Sequence, residues 1–444
     1  MSLPKALNYS AGAQTKQSAV AAVSSSYACK PITGTTWSPG STISFDLGGC
    51  GTRSTWLDTS GTFLSFDVTA TTTTAGTAAC LAFDFIRSLT VYSSAGSFML
   101  ESITEYAAMH GAIRDLCSDR NNHLTSDMLM LGSDPLRSRV GRAQTIAVGA
   151  GTVIRFAIPL ISILGTLTAG QCFLPIHALN NSLRIEIGLH STANAFTIPT
   201  GSTAAGLAYT VTGATLHEQL ITISDVAQSQ IHSMCGGKYD FNSTVWRAHK
   251  NSIPAGQRTA TFTIPARCDS VRTVLTCQLV SAHRETTAFL SNYARPKNNI
   301  STYQYRIGAS YANPVPVDCV TGNALNAYME ARKCFGSAVS GESSPTLLTA
   351  NDYAVDVSGA LAPTLWGTMD FSKADAPSFL IALEAQPFSQ NSGALISGTS
   401  TLANSIYLDV VYAADPVAAD VISYVEADAL FTIDANIGTF TVRF

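Results

Sequence analysis

The feature that most constrains this chain is its punctuation. Short β-type runs are separated again and again by loops of Thr, Ser, Gly and Ala. In the first half the runs fall at 42–47, 63–69, 86–92, 153–163, 182–189, 207–211 and 217–223. In the second half they fall at 259–264, 271–279, 302–307, 379–384, 406–412, 422–426, 429–433 and 439–444. Residues 69–79 and 389–401 read as loops between them. Many short strands with turn signals between them make an all-β sandwich or barrel.

Only three stretches read as helices. The first is 102–116, where Ser102 and Glu105 have capping-box spacing and Ile103, Tyr106, His110 and Ile113 recur on one face. The second starts near Asn323, carries Leu325, Tyr328, Met329 and Arg332, and stops at Gly336. The third runs from Ser224 to Cys235 and ends at Gly236-Gly237, in the middle of the chain where a connector belongs.

The two halves repeat one another. Pro39-Gly40 leads into Ile43, Phe45 and Leu47; Pro254-Ala255-Gly256 leads into Ala260, Phe262 and Ile264, with Phe45 and Phe262 separated by 217 positions. Tyr106 matches Tyr328 at 222, the run from Asn181 to Glu186 matches that from Asn404 to Asp409 at 223, and Tyr209 matches Tyr424 at 215. The markers keep their order near half of the 444-residue length, so the chain is read as a duplicated β-domain. The expected division is an extended N-terminal arm at 1–35, a first sandwich at 36–223, a helical linker at 224–240 and a second sandwich at 241–444.

Charge narrows the function. Only 13% of residues are charged, about half the ~25% usual for soluble chains. A net charge of −4 excludes a broad electrostatic nucleic-acid binder, which needs a basic face. A membrane-spanning helix is excluded too, because the longest apolar stretch, 153–167, carries Arg155, Pro159, Ser162 and Gly165. The first residues show no apolar signal-peptide core. A chain so poor in ionic groups, and not in a bilayer, is expected to bury its surface against other chains.

The search for chemistry returns no constellation. The ten cysteines form no C-x-x-C pair and none sits at zinc-finger spacing from a histidine, so they read as reduced core thiols. No phosphate-binding glycine loop, nucleophile elbow or His-Glu-x-x-His is present. His217-Glu218 lies on a strand, where alternation points the two side chains to opposite faces. Asp58 with Asp67, or Glu186 with Glu218, would serve glycoside hydrolysis only at the right separation, and turn or strand-edge solvation is the simpler reading. No cofactor or metal is expected. A loop with Arg137, Arg139 and Arg142 is a candidate inter-subunit carboxylate clamp. Arg247, His249 and Lys250 beside Trp246 make a smaller basic group, and Lys5 and Lys16 sit in the arm.

The order of these segments resembles the double jelly-roll major capsid proteins of double-stranded DNA viruses, of the polinton-like virus, adintovirus and virophage type. The carriers are Trp56-Leu57-Asp58 before Phe63-Leu64-Ser65-Phe66, the run 86–92 with its following helix, and Phe173-Leu174-Pro175-Ile176-His177-Ala178-Leu179. In the second half they are Tyr303-Gln304-Tyr305-Arg306-Ile307-Gly308, Asn313-Pro314-Val315-Pro316 and the helix with Tyr328. The resemblance implies two tandem eight-stranded jelly rolls and a non-enzymatic structural protein. Three copies would form a pseudo-hexagonal capsomer tiling an icosahedral shell. It also implies penton and minor capsid proteins as partners, an inner membrane or genome beneath the arm, synthesis in the host cytoplasm or nucleus, and residence in the virion. Two other classes predict different features: a tandem jelly-roll glycosidase or amidase needs convergent carboxylates, and a carbohydrate-binding adhesin needs aromatic-rich loops.

Overall fold

The computed structural model describes residues 22–52, 54–93, 98–117, 144–149, 151–162, 173–198, 204–287, 292, 294–321, 324–334, 353–354, 378–386 and 398–444. The first half forms β1 (Ala22–Cys29), β2 (Thr36–Trp37), β3 (Thr42–Asp46), β4 (Thr55–Thr71), β5 (Gly76–Cys80), β6 (Ile86–Ser93), β7 (Phe98–Thr104), helix α1 (Tyr106–Cys117), β8 (Gln144–Val148), β9 (Thr152–Pro159), β10 (Arg184–Leu189) and β11 (Ala208–Ile223). Helix α2 (Asp225–Cys235) leads into the second half. That half forms β12 (Lys238–Ile253), β13 (Thr259–Ile264), β14 (Val271–Val280), β15 (Ile300–Ile307), β16 (Ser310–Tyr311), β17 (Val317–Asp318), helix α3 (Leu325–Lys333), β18 (Ile381–Glu384), β19 (Ile406–Tyr412), β20 (Ala419–Asp434) and β21 (Thr439–Arg443).

The strand order is the same in both halves. One sheet of the first half runs β1-β11-β4-β9, and its counterpart runs β12-β20-β14-β18. The facing sheet of the first half runs β3-β10-β6-β7, and its counterpart runs β13-β19-β15-β16. Each half is thus an eight-stranded sandwich of two four-stranded sheets. The repeat extends to register: Phe45 pairs with Ile185, and Phe262 pairs with Leu408, the residues the sequence match equated.

The long strands form because apolar residues alternate along them. In β4, Leu64, Phe66, Val68 and Ala70 point inward and Ser65, Asp67 and Thr69 point outward. Aromatic residues fill the first core: Phe85 meets Phe66, Phe156, Phe196 and Tyr209 at centroid distances of 5.1–6.2 Å. The second core buries Tyr303 and Tyr305, and satisfies the Tyr305 hydroxyl on Thr276 Oγ1, which also meets Ser423 Oγ.

Several expectations need correction. The arm placed at 1–35 contains β1, registered along β11 from Ala22↔Ile223 to Cys29↔Leu216, so the first sandwich takes in residues well before 36. Its sequence escaped notice because an edge strand with seven exposed residues shows no apolar alternation. The loop read at 69–79 holds the end of β4 and much of β5. Helix α1 starts at Tyr106, not Ser102: Ser102 lies in β7, where Ile103 and Thr104 carry the strand on. Its entry is Glu105 in the left-handed region at φ 51°, and α3 is entered through Ala324 at φ 60°. Those helix starts equate Tyr106 with Leu325, one turn away from the Tyr106–Tyr328 match. Tyr209 and Tyr424 lie in equivalent strands but on opposite faces. Tyr209 packs inward on Phe85, while the Tyr424 hydroxyl reaches out to the carbonyl of Glu105. A one-residue offset in a strand exchanges its faces.

Helix α2 behaves as a connector. Ser224 caps it by accepting from Ala227 N, Gly236 closes it at φ 61°, and it buries none of its residues.

Candidate functional site: the seam between the sandwiches

Among the described residues neither carboxylate pair weighed from the sequence comes together, and the polar feature of greatest consequence lies where the two sandwiches meet. Among the described residues, the sheets touch edge to edge at one parallel register position, Ser102 of β7 beside Arg247 of β12. Two backbone bonds add to it, Asn180 N to Gly438 O at 3.3 Å and Ile198 N to Thr287 O at 2.6 Å, and side chains make much of the rest. Glu105, just before α1, sits over the outer face of the β12-β20-β14-β18 sheet, where its carbonyl accepts from the Tyr424 hydroxyl, while α1 packs on its own sandwich through Phe83 and reaches Arg295 with Asp115. Two burial patterns here are ones that periodicity alone does not predict. Nine of the ten residues of β14 are buried, so both of its faces are covered. Between Tyr106 and Leu116, every α1 residue but Ile113 is buried.

Carboxylates of each sandwich meet donors of the other across this seam. Glu105 accepts two hydrogen bonds from Arg284 Nη2, at 2.9 and 2.8 Å. Arg295 donates to Asp115, and each side chain is 1% exposed. Glu101 Oε1 accepts from the backbone N–H of Trp246 at 3.1 Å. Asn194 and Ser191 donate to Glu285 at 2.7 and 2.8 Å, while Glu285 N donates back to Asn194 Oδ1 at 2.9 Å. Asn180 donates to the carbonyl of Ile437 at 3.0 Å and so ties the first sandwich to the last hairpin. A buried charge without compensation costs several kcal/mol, so these contacts hold the halves in one mutual setting.

Sequence reasoning missed this set because its members are 91–257 positions apart. The local signal was Glu105 just before, and Asp115 within, a helix of a charge-poor chain. Glu105 had been read as the far end of a capping box; instead it pairs across the seam.

The residues singled out from the sequence have plainer surroundings. Arg137, Arg139 and Arg142 lie outside the described residues, as do Lys5 and Lys16. Arg247 stacks over Phe444 at 3.6 Å, and Lys250 pairs with Asp420 at 2.8 Å, so this small basic group has partners on its own chain. Burial holds the His249 pKa below the ordinary histidine value. Asp58 caps the turn at Ser60, while Asp67, further along the same bulged strand, pairs with Arg155 of β9; their partners on β11, Gln219 and Thr212, put the two carboxylates on the order of 20 Å apart at ~3.3 Å per residue. That separation exceeds the ~5–9.5 Å of a glycosidase pair. Glu186 and Glu218 stand in different sheets. His217 stacks on Phe63 outside the sheet while Glu218 is buried within, accepting from Gly48 N, as alternation requires. The buried Glu218 carboxyl is pushed up to about 7. The cysteines of the described residues with placed side chains are free thiols, and burial pushes Cys29 and Cys277 up to about 12. Among the described residues no group of three His, Cys, Asp or Glu is placed to hold a metal, and no helix is long and apolar enough to cross a membrane.

Two tandem eight-stranded sandwiches with equivalent strand order, joined edge to edge through β7 and β12, define the double jelly-roll fold. No protein-family model matches the sequence, and no curated protein does. Solved structures do match along nearly the whole length. VP54 of PBCV-1, fitted into a reconstruction of the virophage Sputnik, is 10% identical, with 96% of this chain and 98% of that chain covered at a TM-score of 0.62. The Faustovirus major capsid protein is 9% identical over 93% and 91% at 0.57, and the mavirus major capsid protein is 10% identical over 100% and 95% at 0.53. At such identity the likeness establishes the fold, and this chain has the double jelly roll of these capsid proteins.

Proposed function

We propose that the chain is the major capsid protein of a DNA virus. Three copies form a pseudo-hexagonal capsomer, capsomers tile an icosahedral shell, and the protein's task is packing geometry with no catalytic step. The observation that carries this reading is the duplication itself. Two like sandwiches held in one setting by a buried ion pair supply, three times over, six like units around one axis. A chain with only 13% charged residues fits a molecule walled in by its siblings, since interface cores are depleted of charge.

The finer assignments follow from the same reading. The linker is centred on α2 and separates the two rolls. The N-terminal arm ahead of β1 faces the particle interior, toward a membrane or the genome. Arg137, Arg139 and Arg142 clamp carboxylates of neighbouring subunits, while penton and minor capsid proteins complete the shell. Light scattering with negative-stain imaging tests the proposal. A stable trimer of three times 46.7 kDa with a six-lobed outline is expected. A monodisperse monomer at micromolar concentration, above all one that cleaves a polysaccharide, overturns it in favour of a tandem jelly-roll glycosidase or amidase.

A further inference from the structure

We infer that His177, Gln228 and Trp56 form an acid-released clasp: at neutral pH they fasten helix α2 to the first sandwich, and one proton on His177 lets it go.

Every hydrogen position in the clasp is dictated by its two ends. At one end stands the Thr55 carbonyl, which can only accept, so His177 Nδ1, 3.2 Å away, carries a proton. At the other end stands the Trp56 indole, which can only donate, so Gln228 turns its Oε1 toward it, 2.9 Å away. The amide NH2 of Gln228 then points at His177 Nε2, which accepts as the bare nitrogen of the neutral ring. A second ring proton has no acceptor in line. It meets the Gln228 NH2, and turning the amide over aims that NH2 at the Trp56 N–H instead. Either way two donors face each other.

The surroundings offer little relief. The Tyr239 hydroxyl of β12 lies 3.4 Å from both His177 Nε2 and Gln228 Nε2 and 3.5 Å from His232 Nδ1, at the edge of hydrogen-bond range and shared among three groups. His232 of α2 takes up a proton in acid too and then repels an imidazolium at His177. The nearby charged groups have partners of their own. Asp225 of α2 accepts from Ser54 at 3.0 Å, Asp58 of β4 from Ser60, and Asp240 of β12 from Thr432, while Lys238 of β12 pairs with Asp434. Cys235, at the end of α2, is exposed. Burial holds the His177 pKa below the ordinary histidine value; the Thr55 carbonyl pulls it up, and His232 adds to the lowering. The folded neutral form is thus favoured, so the clasp is whole above the ordinary histidine value and opens as pH falls below it. Helix α2 buries none of its residues; apart from the clasp it has the Ser54–Asp225 bond and the partly buried Ile231 to hold it.

Hydrogen exchange of the 225–235 amides in the full-length protein, corrected for the intrinsic effect of pH, reads the clasp at pH 8 and at pH 5. Wild-type protection is expected to fall about tenfold between them, the loss that one hydrogen bond carries. Gln228→Glu offers acceptor oxygens to both the Trp56 N–H and a protonated His177, so its protection should hold or rise at pH 5. His232→Gln should loosen in acid as wild type does. Equal protection of wild type at the two pH values overturns the inference. So does a Gln228→Glu variant that loosens like wild type, and so does a His232→Gln variant that no longer responds, since the sensing group is then His232. A monomer carries the clasp just as a trimer does, so these outcomes are separate from the test of self-assembly.

Discussion

Arg295→Met strikes the least exposed contact of the seam. Arg295 and Asp115 are each 1% exposed, so the substitution leaves a carboxylate in a site water does not reach. Breaking a buried pair by removing one partner costs about 3–5 kcal/mol. For domains of this size that is on the order of 10 °C in melting temperature. Methionine fills much of the arginine volume, which keeps the loss electrostatic rather than a cavity effect. The double variant Arg295→Met with Asp115→Leu removes both charges and is expected to recover most of the stability, because an apolar pair of similar volume does not carry the desolvation cost. Urea unfolding of the purified protein, followed by tryptophan fluorescence, measures both. A single variant within ~1 kcal/mol of wild type, or a double variant as unstable as the single, refutes the view that this pair governs how the sandwiches are held.

Two further outcomes follow from the same coordinates. Burial holds the Glu218 carboxyl at about 7, above its value in the unfolded chain, so the folded protein binds the extra proton between about 4.5 and 7 and loses stability as pH rises through that window. Glu218→Gln keeps the acceptor for Gly48 N and should melt higher than wild type at pH 8, with the advantage gone at pH 4; an advantage independent of pH contradicts the assignment. Gly438→Ala places a methyl 2.0 Å from Asn180 Cγ on backbone at φ +66°, so it should melt several degrees lower and loosen the last hairpin. Hydrogen exchange that leaves β21 as protected as in wild type argues against it.

The fold was legible wherever one face of a strand is dry and the other wet. The runs at 259–264 and 406–412 coincide with β13 and β19 because their alternation is undisturbed. Legibility failed where a strand carries polar residues on both faces. β1 has almost nothing buried, and β12 mixes Lys238, Asp240, Asn242, Arg247 and Lys250 along one strand, so neither reads as β from its own residues. The repeat was visible at strand resolution, but not at face resolution, as Tyr209 and Tyr424 demonstrate. The seam lay beyond reach for a different reason: an ion pair between Asp115 and Arg295 has no local spacing by which to be recognised.

Helix α2 bears on how such a molecule is inherited and made. It buries none of its residues and meets the sandwiches chiefly through Gln228, on Trp56, His177 and Tyr239, so the seam's own ion pairs and backbone bonds stand apart from the covalent tether. A protease nick within it should yield two fragments on a denaturing gel and one undivided particle in native buffer. The same logic lets a gene be split there, with the two products, made separately, finding each other through the carboxylates and guanidiniums that their ancestor's doubling left face to face.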